Sequence, residues 1–380
     1  MRILEFERNL LDSLKRLVNF SSVKRLGIGL SGGADSVSLL CALAAARDGA
    51  LKDSKGFFPQ IICVTVDHSI RPQEESSGDA EYALSLCDRL GVERVLKKIP
   101  RGAAEKAAAE RKKGLEEAAR FLRYQKFEEF AREKEIDYIC LAHNQNDALE
   151  TLLMRFLQGS SASCGMAAQR GIYLRPLLET SRGQIEEYLR QKKIDWRTDS
   201  SNFENNYFRN KIRNVLVPFL DKNFDGWKKA LLSGAEKAAI ESDAMESFFV
   251  SKIGGLESEL QKMAKGGQVE FSKALFESLP VALRQRLVYK AADLLAGGER
   301  IPYSFVRELC FWPEKDFKKI SAGGLEAVSK KEKVFLKILQ KEATESGFFD
   351  IMAGGEKSGE AVLERTLAPG DKTERKALLV

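Results

Sequence analysis

Histidine is nearly absent from this chain: only His68 and His143 occur in 380 residues. The six cysteines, at positions 41, 63, 87, 140, 164 and 310, never form a C-x-x-C pair. Zinc sites and iron-sulfur clusters draw their ligands from these two residue types in close pairs, so both are hard to build here. Cysteines within apolar runs such as Ile61-Ile62-Cys63-Val64 read instead as small core residues of a reducing compartment. Proline is scarce, at 9, while 44% of residues are hydrophobic and 31% charged, which excludes collagen-like, low-complexity and disordered classes. No apolar run approaches the ~18–20 residues of a membrane span, so no membrane partner is expected. Neither sign of charge dominates: 61 Lys plus Arg against 55 Asp plus Glu leaves +6. That balance excludes a polycation and permits a polyanionic partner. Residues 1–20 read as an amphipathic helix carrying Glu5, Glu7 and Asp12, unlike a secretory or transit leader, and a cytoplasmic location is expected.

What is present is an alternation of short β-rich runs and helical stretches from about Val23 to Gly159, the pattern of an α/β domain with a helix-covered parallel sheet. Strands are expected at 25–30, 60–66, 94–99 and 138–142. Helices are expected at 35–48, 78–90, 114–134, 146–158 and 182–193. Ligands of such sheets bind beyond the carboxyl ends of the strands. After Pro218 the alternation stops and helices dominate, at 227–249, 273–279 and 280–295. The expected organisation is therefore a catalytic α/β domain over 1–218, a smaller, mainly helical domain over 219–342, and a short or divergent terminal segment over 343–380.

The first strand runs into Ser31-Gly32-Gly33-Ala34-Asp35-Ser36. Two consecutive glycines let the backbone approach a ligand, and a helix start turns its amides toward an anion. Ser31 and Ser36 add hydroxyls, and Asp35 is a carboxylate suited to magnesium held on phosphate oxygens. No Gly-Lys-Ser/Thr follows, so this is not a Walker loop. The second strand ends in Asp67-His68-Ser69-Ile70-Arg71, where Asp67 and His68 could touch a nucleotide. Arg120, Arg123, Tyr124 and Phe127 share one helical face. The spacing alone leaves Arg120 evenly divided between phosphate contact and solvated surface, and favours surface for Arg123. The fourth strand leads into His143-Asn144-Gln145-Asn146-Asp147-Ala148-Leu149-Glu150. His143, Asp147 and Glu150, at i, i+4 and i+7, can face one pocket while Leu149, Leu152, Leu153 and Phe156 pack inward. Two acids and an imidazole suit a cationic substrate whose amine must lose a proton.

The glycine loop resembles that of the N-type ATP pyrophosphatases, the PP-loop enzymes. The order of blocks resembles one branch of them, the tRNA(Ile)-lysidine synthases: S-G-G-A-D-S at 31–36, V-D-H-S-I-R at 66–71, A-R-F-L-R-Y at 119–124, L-A-H-N-Q-N-D-A-L-E-T at 141–151, R-P-L-L at 175–178, and D-S-S-N followed by R-N-K-I-R within 199–213. The likeness spans 25–220. Asn144 and Ala148 depart from the branch's usual histidine and glutamine. A faint P-G-D element at 369–371 suggests a shortened or divergent C-terminal module.

This resemblance implies a ligase that uses ATP and Mg2+ to adenylate the wobble cytidine of a CAU-anticodon tRNA(Ile), and then joins free L-lysine to C2 with release of AMP. Residues 31–36, with Asp67 and His68, would hold ATP, and Asp35 the metal. Asp35, Arg120, His143 and Asp147 would carry the chemistry. Asp147 and Glu150 would receive lysine, and Arg209, Lys211 and Arg213 would contact tRNA, helped by lysines 315–337. A homodimer is left open. A PP-loop tRNA thiolase and a catalytically inactive tRNA-binding homologue are the alternatives.

Overall fold

The computed structural model describes residues 3–52, 57–67, 73–111, 114–159, 165–197, 208–253, 267–296, 301–311 and 319–339. His68, Arg71, the polar stretch 199–206, Lys315, Lys318 and the segment 343–380 lie outside these residues. The chain divides into two compact units, Met1–Gly254 and Gly255–Val380.

In the first unit the apolar alternating runs become β1 (Arg25–Gly29), β2 (Gln60–Asp67), β3 (Glu93–Lys98) and β4 (Tyr138–Cys140), joined by two short strands, β5 (Gln169–Arg170) and β6 (Tyr173–Leu174). The sheet order is β3-β2-β1-β4-β6-β5, parallel except for the β5–β6 pair. The chain first builds outward through β2 and β3, then returns to the other side of β1 with β4. The turns after β1 and β4 therefore flank the point where strand order reverses, where ligands of open parallel sheets bind.

Helices α1 (Ile3–Leu17), α2 (Ala34–Lys52) and α7 (Arg182–Lys192) pack together with Phe6, Leu10, Leu14, Leu40, Ile185 and Leu189 in one core. The α1 contribution follows from its sequence: Phe6, Leu10 and Leu14 recur every four residues on one face. Between α2 and α7 come α3 (Gln73–Arg89), α4 (Ala103–Arg111), α5 (Leu115–Glu133) and α6 (Gln145–Leu157). On α5, Phe127 and Phe130 meet Ile62, Val64, Ile139 and Leu141 in a second core. A Cβ on Gly27 would stand 2.9 Å from the Phe130 ring, so the bare backbone of β1 is what lets α5 approach the sheet.

Helices α8 (Phe208–Lys211) and α9 (Val217–Asn223) are bridged by a π-helical turn over Ile212–Leu216. The long α10 (Trp227–Ile253) follows and packs against α6. It belongs to the first unit, so the division falls near residue 254 instead of 218.

The second unit also departs from the expected helical character. It contains a four-stranded antiparallel sheet, β7-β10-β9-β8, from β7 (Gln268–Ser272), β8 (Lys319–Ala322), β9 (Leu325–Lys330) and β10 (Lys333–Ile338). Its helices are α11 (Lys273–Ser278), α12 (Val281–Ala296) and α13 (Tyr303–Cys310), with α12 and α13 packed on the sheet. Ile320, Leu325, Ala327, Val334 and Leu336 are buried, with a period of two hidden among lysines. Gly323 and Gly324, at φ 60° and 76°, make the turn between β8 and β9. The many lysines of this stretch mask that alternation in composition. Lys319 and Lys337 flank the buried carboxylate of Glu326, and Lys333 pairs with Glu270 at 2.9 Å.

Candidate active site

The loop after β1 is folded on its own hydroxyls. Ser36 Oγ donates to the Gly33 carbonyl at 3.0 Å and accepts the Ser31 amide at 3.1 Å, and Ser31 Oγ lies 3.1 Å from it. The hydroxyl expected to reach a ligand at Ser36 is thus the one that shapes the loop, and Ser36 is buried. Gly32 takes φ 82°, a conformation only glycine holds without strain. Its carbonyl accepts the Arg197 amide at 3.0 Å, which ties the loop to the chain after α7. Ala34 begins α2, so the first-turn amides of that helix have no intrahelical acceptor and form an anion cradle.

Asp35, in that first turn, is gripped from two sides. Asn144 Nδ2 donates to its Oδ1 at 2.9 Å, and Arg182 Nη1 to its Oδ2 at 2.9 Å. Burial pushes the Asp35 carboxyl above its ordinary pKa, Arg182 opposes that shift, and the nearby Asp147 charge adds to it. Neither Asn144 nor Arg182 was singled out from the sequence as a site residue. Asn144 does have a role: it caps α6 by accepting the Asp147 amide at 3.1 Å, while Asp147 Oδ2 accepts the Asn144 amide at 3.0 Å. This capping box is legible as Asn-x-x-Asp, but the reach to Asp35 across the strand-order reversal is not. Arg182 is oriented by Glu186 at 2.8 Å, and its amide donates to Asn146 Oδ1 at 3.1 Å.

Asp147 and Glu150 come together as the spacing suggests, and they are already occupied. Arg209 donates from Nη2 to Asp147 Oδ1 and from Nε to Glu150 Oε2, both at 2.8 Å. Arg213 donates to Glu150 through Nε at 2.6 Å and Nη2 at 3.0 Å. Glu150 is only 3% exposed. Of the three basic residues expected to face tRNA, Lys211 alone is exposed, and Arg209 and Arg213 turn to these acids. The reason is helical periodicity: 209 and 213 share a face at i and i+4, matching acids at i and i+3 on α6, and 211 points away. Phe156, expected to pack inward, is 69% exposed, whereas Leu149 and Leu152 are buried.

His143 precedes the cap of α6. Its Nδ1 accepts from Arg175 Nε at 3.2 Å, which leaves the proton of the neutral ring on Nε2. Burial first, and then the charges of Arg175, Arg120, Arg123 and Arg209, push its pKa down to about 3. A neutral ring of this kind donates a hydrogen bond and is a poor proton acceptor. Arg175 is itself buried and anchored by the Ala167 carbonyl at 2.6 Å. Asp67 ends β2 half-buried, on the same carboxyl edge of the sheet. Arg120 is exposed on α5, with its guanidinium 5.2 Å over the Tyr124 ring. Among the described residues there is no cluster of three His, Cys, Asp or Glu side chains able to hold a metal. Asp35 as a single carboxylate still suits a magnesium ion whose other ligands are phosphates and water. The described cysteines 41, 63, 87, 140 and 310 are free and buried.

The comparisons with known proteins accord with this geometry. The PP-loop domain family matches residues 5–220. A tRNA(Ile)-lysidine synthase of Treponema denticola is 38% identical over 332 residues, 86% of this chain and 69% of that protein. The synthase of Treponema pallidum is 35% identical over 287 residues, 74% of this chain and 55% of that one. The chain thus spans between about half and about two thirds of the length of these relatives. Among solved structures, a U34-tRNA thiolase from Methanococcus maripaludis with a [4Fe-4S] cluster aligns with a TM-score of 0.51 at 16% identity, covering 62% of this chain and 79% of that one, a likeness of fold. On the matched domain and on these relatives together, the chain belongs to the tRNA(Ile)-lysidine synthases, ligases built on the ATP-using PP-loop domain.

Proposed function

We propose that this chain joins the ε-amine of free L-lysine to C2 of the wobble cytidine in a CAU-anticodon tRNA(Ile), with ATP as the activating substrate. The observation that carries the reading is the convergence of Asp35, Asn144, Asp147 and Glu150 beside the glycine loop, at the reversal of strand order. In the first step the cytosine C2 oxygen attacks the α phosphate of ATP and pyrophosphate leaves. In the second the lysine amine attacks C2, and the oxygen departs with AMP. The amides at the start of α2 receive phosphate oxygens, and Arg120 offsets charge at the α phosphate. Asp67, with His68, contacts the adenosine. Magnesium, when bound, would neutralise phosphate charge, and Asp35 would supply its protein ligand. With His143 neutral and donating, the proton from the lysine amine falls to a carboxylate, and Asp147 and Glu150 are the acids at hand. Both are paired to Arg209 and Arg213, so the lysine ammonium must exchange with a guanidinium to reach them.

The cytosine is presented from a single-stranded loop, where splaying a base costs little. Lys211 and the exposed lysines of the second unit, Lys319, Lys330 and Lys333, supply charge for the phosphate backbone. No helix among the described residues is long and apolar enough to cross a membrane. Mass analysis of tRNA(Ile) after incubation with ATP and lysine tests the reading. A mass gain of one lysine less one water, dependent on both, is expected; unmodified tRNA, or a sulfur-for-oxygen gain, refutes it.

A further inference from the structure

Arg123 is a half-buried arginine on α5. Its Nε is shut off from solvent and has no hydrogen-bond partner. The side chain makes no salt bridge among the described residues. Burial weighs most against its charge; the cation Arg120 adds to that, Tyr124 opposes it, and the cation Arg209 and then Glu116 follow. Arg209 is committed to Asp147 and Glu150, and Arg175 to His143 and the Ala167 carbonyl. Among the described residues Arg120 touches the hydroxyl and ring of Tyr124, at 3.3 Å and 5.2 Å. Tyr124 is in turn wedged edge-on against Tyr173 and Phe127, so this corner of α5 is rigid.

A guanidinium nitrogen withdrawn from water with neither carboxylate nor carbonyl to accept from it is costly even on a half-buried side chain, and a ligand oxygen would complete it. The neighbouring groups narrow that ligand. Arg120 and Arg123 sit one turn apart on one face, next to a neutral His143 that presents an N–H, all donors and no acceptor. Two guanidinium forks one turn apart match the oxygens of a phosphate group.

We propose that Arg123, with Arg120 beside His143, forms a phosphate subsite, Arg123 being the half-buried member that binds a phosphate oxygen through its enclosed Nε. The subsite rests on the functional reading above, in which two phosphate sources are present: the phosphates of ATP and the phosphodiesters flanking the wobble cytidine.

Arg123→Gln and Arg123→Lys, compared with wild type in the full chain, separate these sources. One arm titrates α,β-methylene ATP without RNA; the other measures tRNA(Ile) binding without nucleotide across a salt series. Loss of a charge-assisted hydrogen bond predicts about a 10- to 100-fold weaker affinity for Arg123→Gln in one arm, with partial retention in Arg123→Lys. A loss confined to the ATP arm assigns the subsite to the nucleotide. A loss confined to the RNA arm, with the salt slope reduced by about 1, assigns it to the backbone. Thermal melting serves as the structural control: Arg123→Gln should melt no lower than wild type, because a charge with an enclosed and unpaired nitrogen has been removed. Unchanged affinity in both arms overturns the proposal, as does a weakening that tracks a lowered melting temperature and is shared equally by Arg123→Lys. Inorganic pyrophosphate is a third probe. If wild type forms no lysidine, weaker pyrophosphate binding by Arg123→Gln still supports the subsite while the functional reading fails, and equal binding removes the subsite as well.

Discussion

Replacing Glu150 by Gln should weaken the fold and lysine binding together, and the geometry sets the size of the effect. The carboxylate is 4% exposed at its side chain and receives three hydrogen bonds of 2.6–3.0 Å from two arginines. Breaking a buried pair by neutralising one partner costs about 3–5 kcal/mol, because the other charge is stranded. Here Arg213 is 36% exposed and Arg209 22%, and Asp147 still offers one carboxylate to both, so solvent and the second acid soften the loss to about 2–3 kcal/mol. For a unit of this size that corresponds to a fall of roughly 4–12 °C in melting temperature. The sharper measurement is a double-mutant cycle with Arg213→Gln. If the two side chains act as a pair, removing both should cost less than the sum of the single changes by about 1–2 kcal/mol. In turnover, Glu150→Gln should raise the lysine KM about tenfold or more while pyrophosphate release continues. A coupling below about 0.5 kcal/mol, or unaltered melting and lysine kinetics, would refute the view that these arginines hold the lysine-binding acids.

Three further outcomes are expected. Asp35→Ala should lower pyrophosphate release by about 10²-fold or more and leave tRNA binding nearly intact, since the carboxylate faces Asn144 and Arg182 and not an RNA surface; near-normal turnover would remove Asp35 from the reaction. His143, held at about 3 against an ordinary 6.5, binds its proton more weakly folded than unfolded. Its contribution to stability is therefore complete above pH 6.5 and is lost as pH falls from there toward 3, so melting temperature should drop more steeply over that window in wild type than in His143→Asn, and parallel curves would contradict the neutral ring. Ornithine should be incorporated poorly in place of lysine, because one methylene fewer holds the amine outside a ~3–3.5 Å approach to C2; equal incorporation in a mass assay would sink the fixed-pocket reading.

The first unit was legible because its signals are local. Strands β1, β2 and β4 are short apolar runs, the helices α6 and α7 that follow them start on capping boxes, and a glycine pair marks the turn after β1. The second unit hides its strands for an equally physical reason. Its strands alternate buried Val334 and Leu336 with Lys333 and Lys337, and in a count of residue types the lysines outweigh the alternation. The boundary at Pro218 was drawn where the strand alternation ends, but α10 finds its packing partner, α6, back in the first unit.

By itself the amino-acid order determined the parallel α/β domain, the glycine loop and the acids of α6, since each depends on periodicity and neighbours within a few residues. Only the tertiary structure decided what those groups touch. Asn144 reads as a departure in a motif until β4 is set beside β1, and then it is the donor to Asp35 across 109 positions. Arg209 and Arg213 read as RNA contacts until α8 and its π turn are laid on α6, and then they neutralise Asp147 and Glu150. Arg123 reads as surface until its Nε is found enclosed without a partner. Pairing between distant side chains depends on the crossing of elements, and no local spacing encodes it.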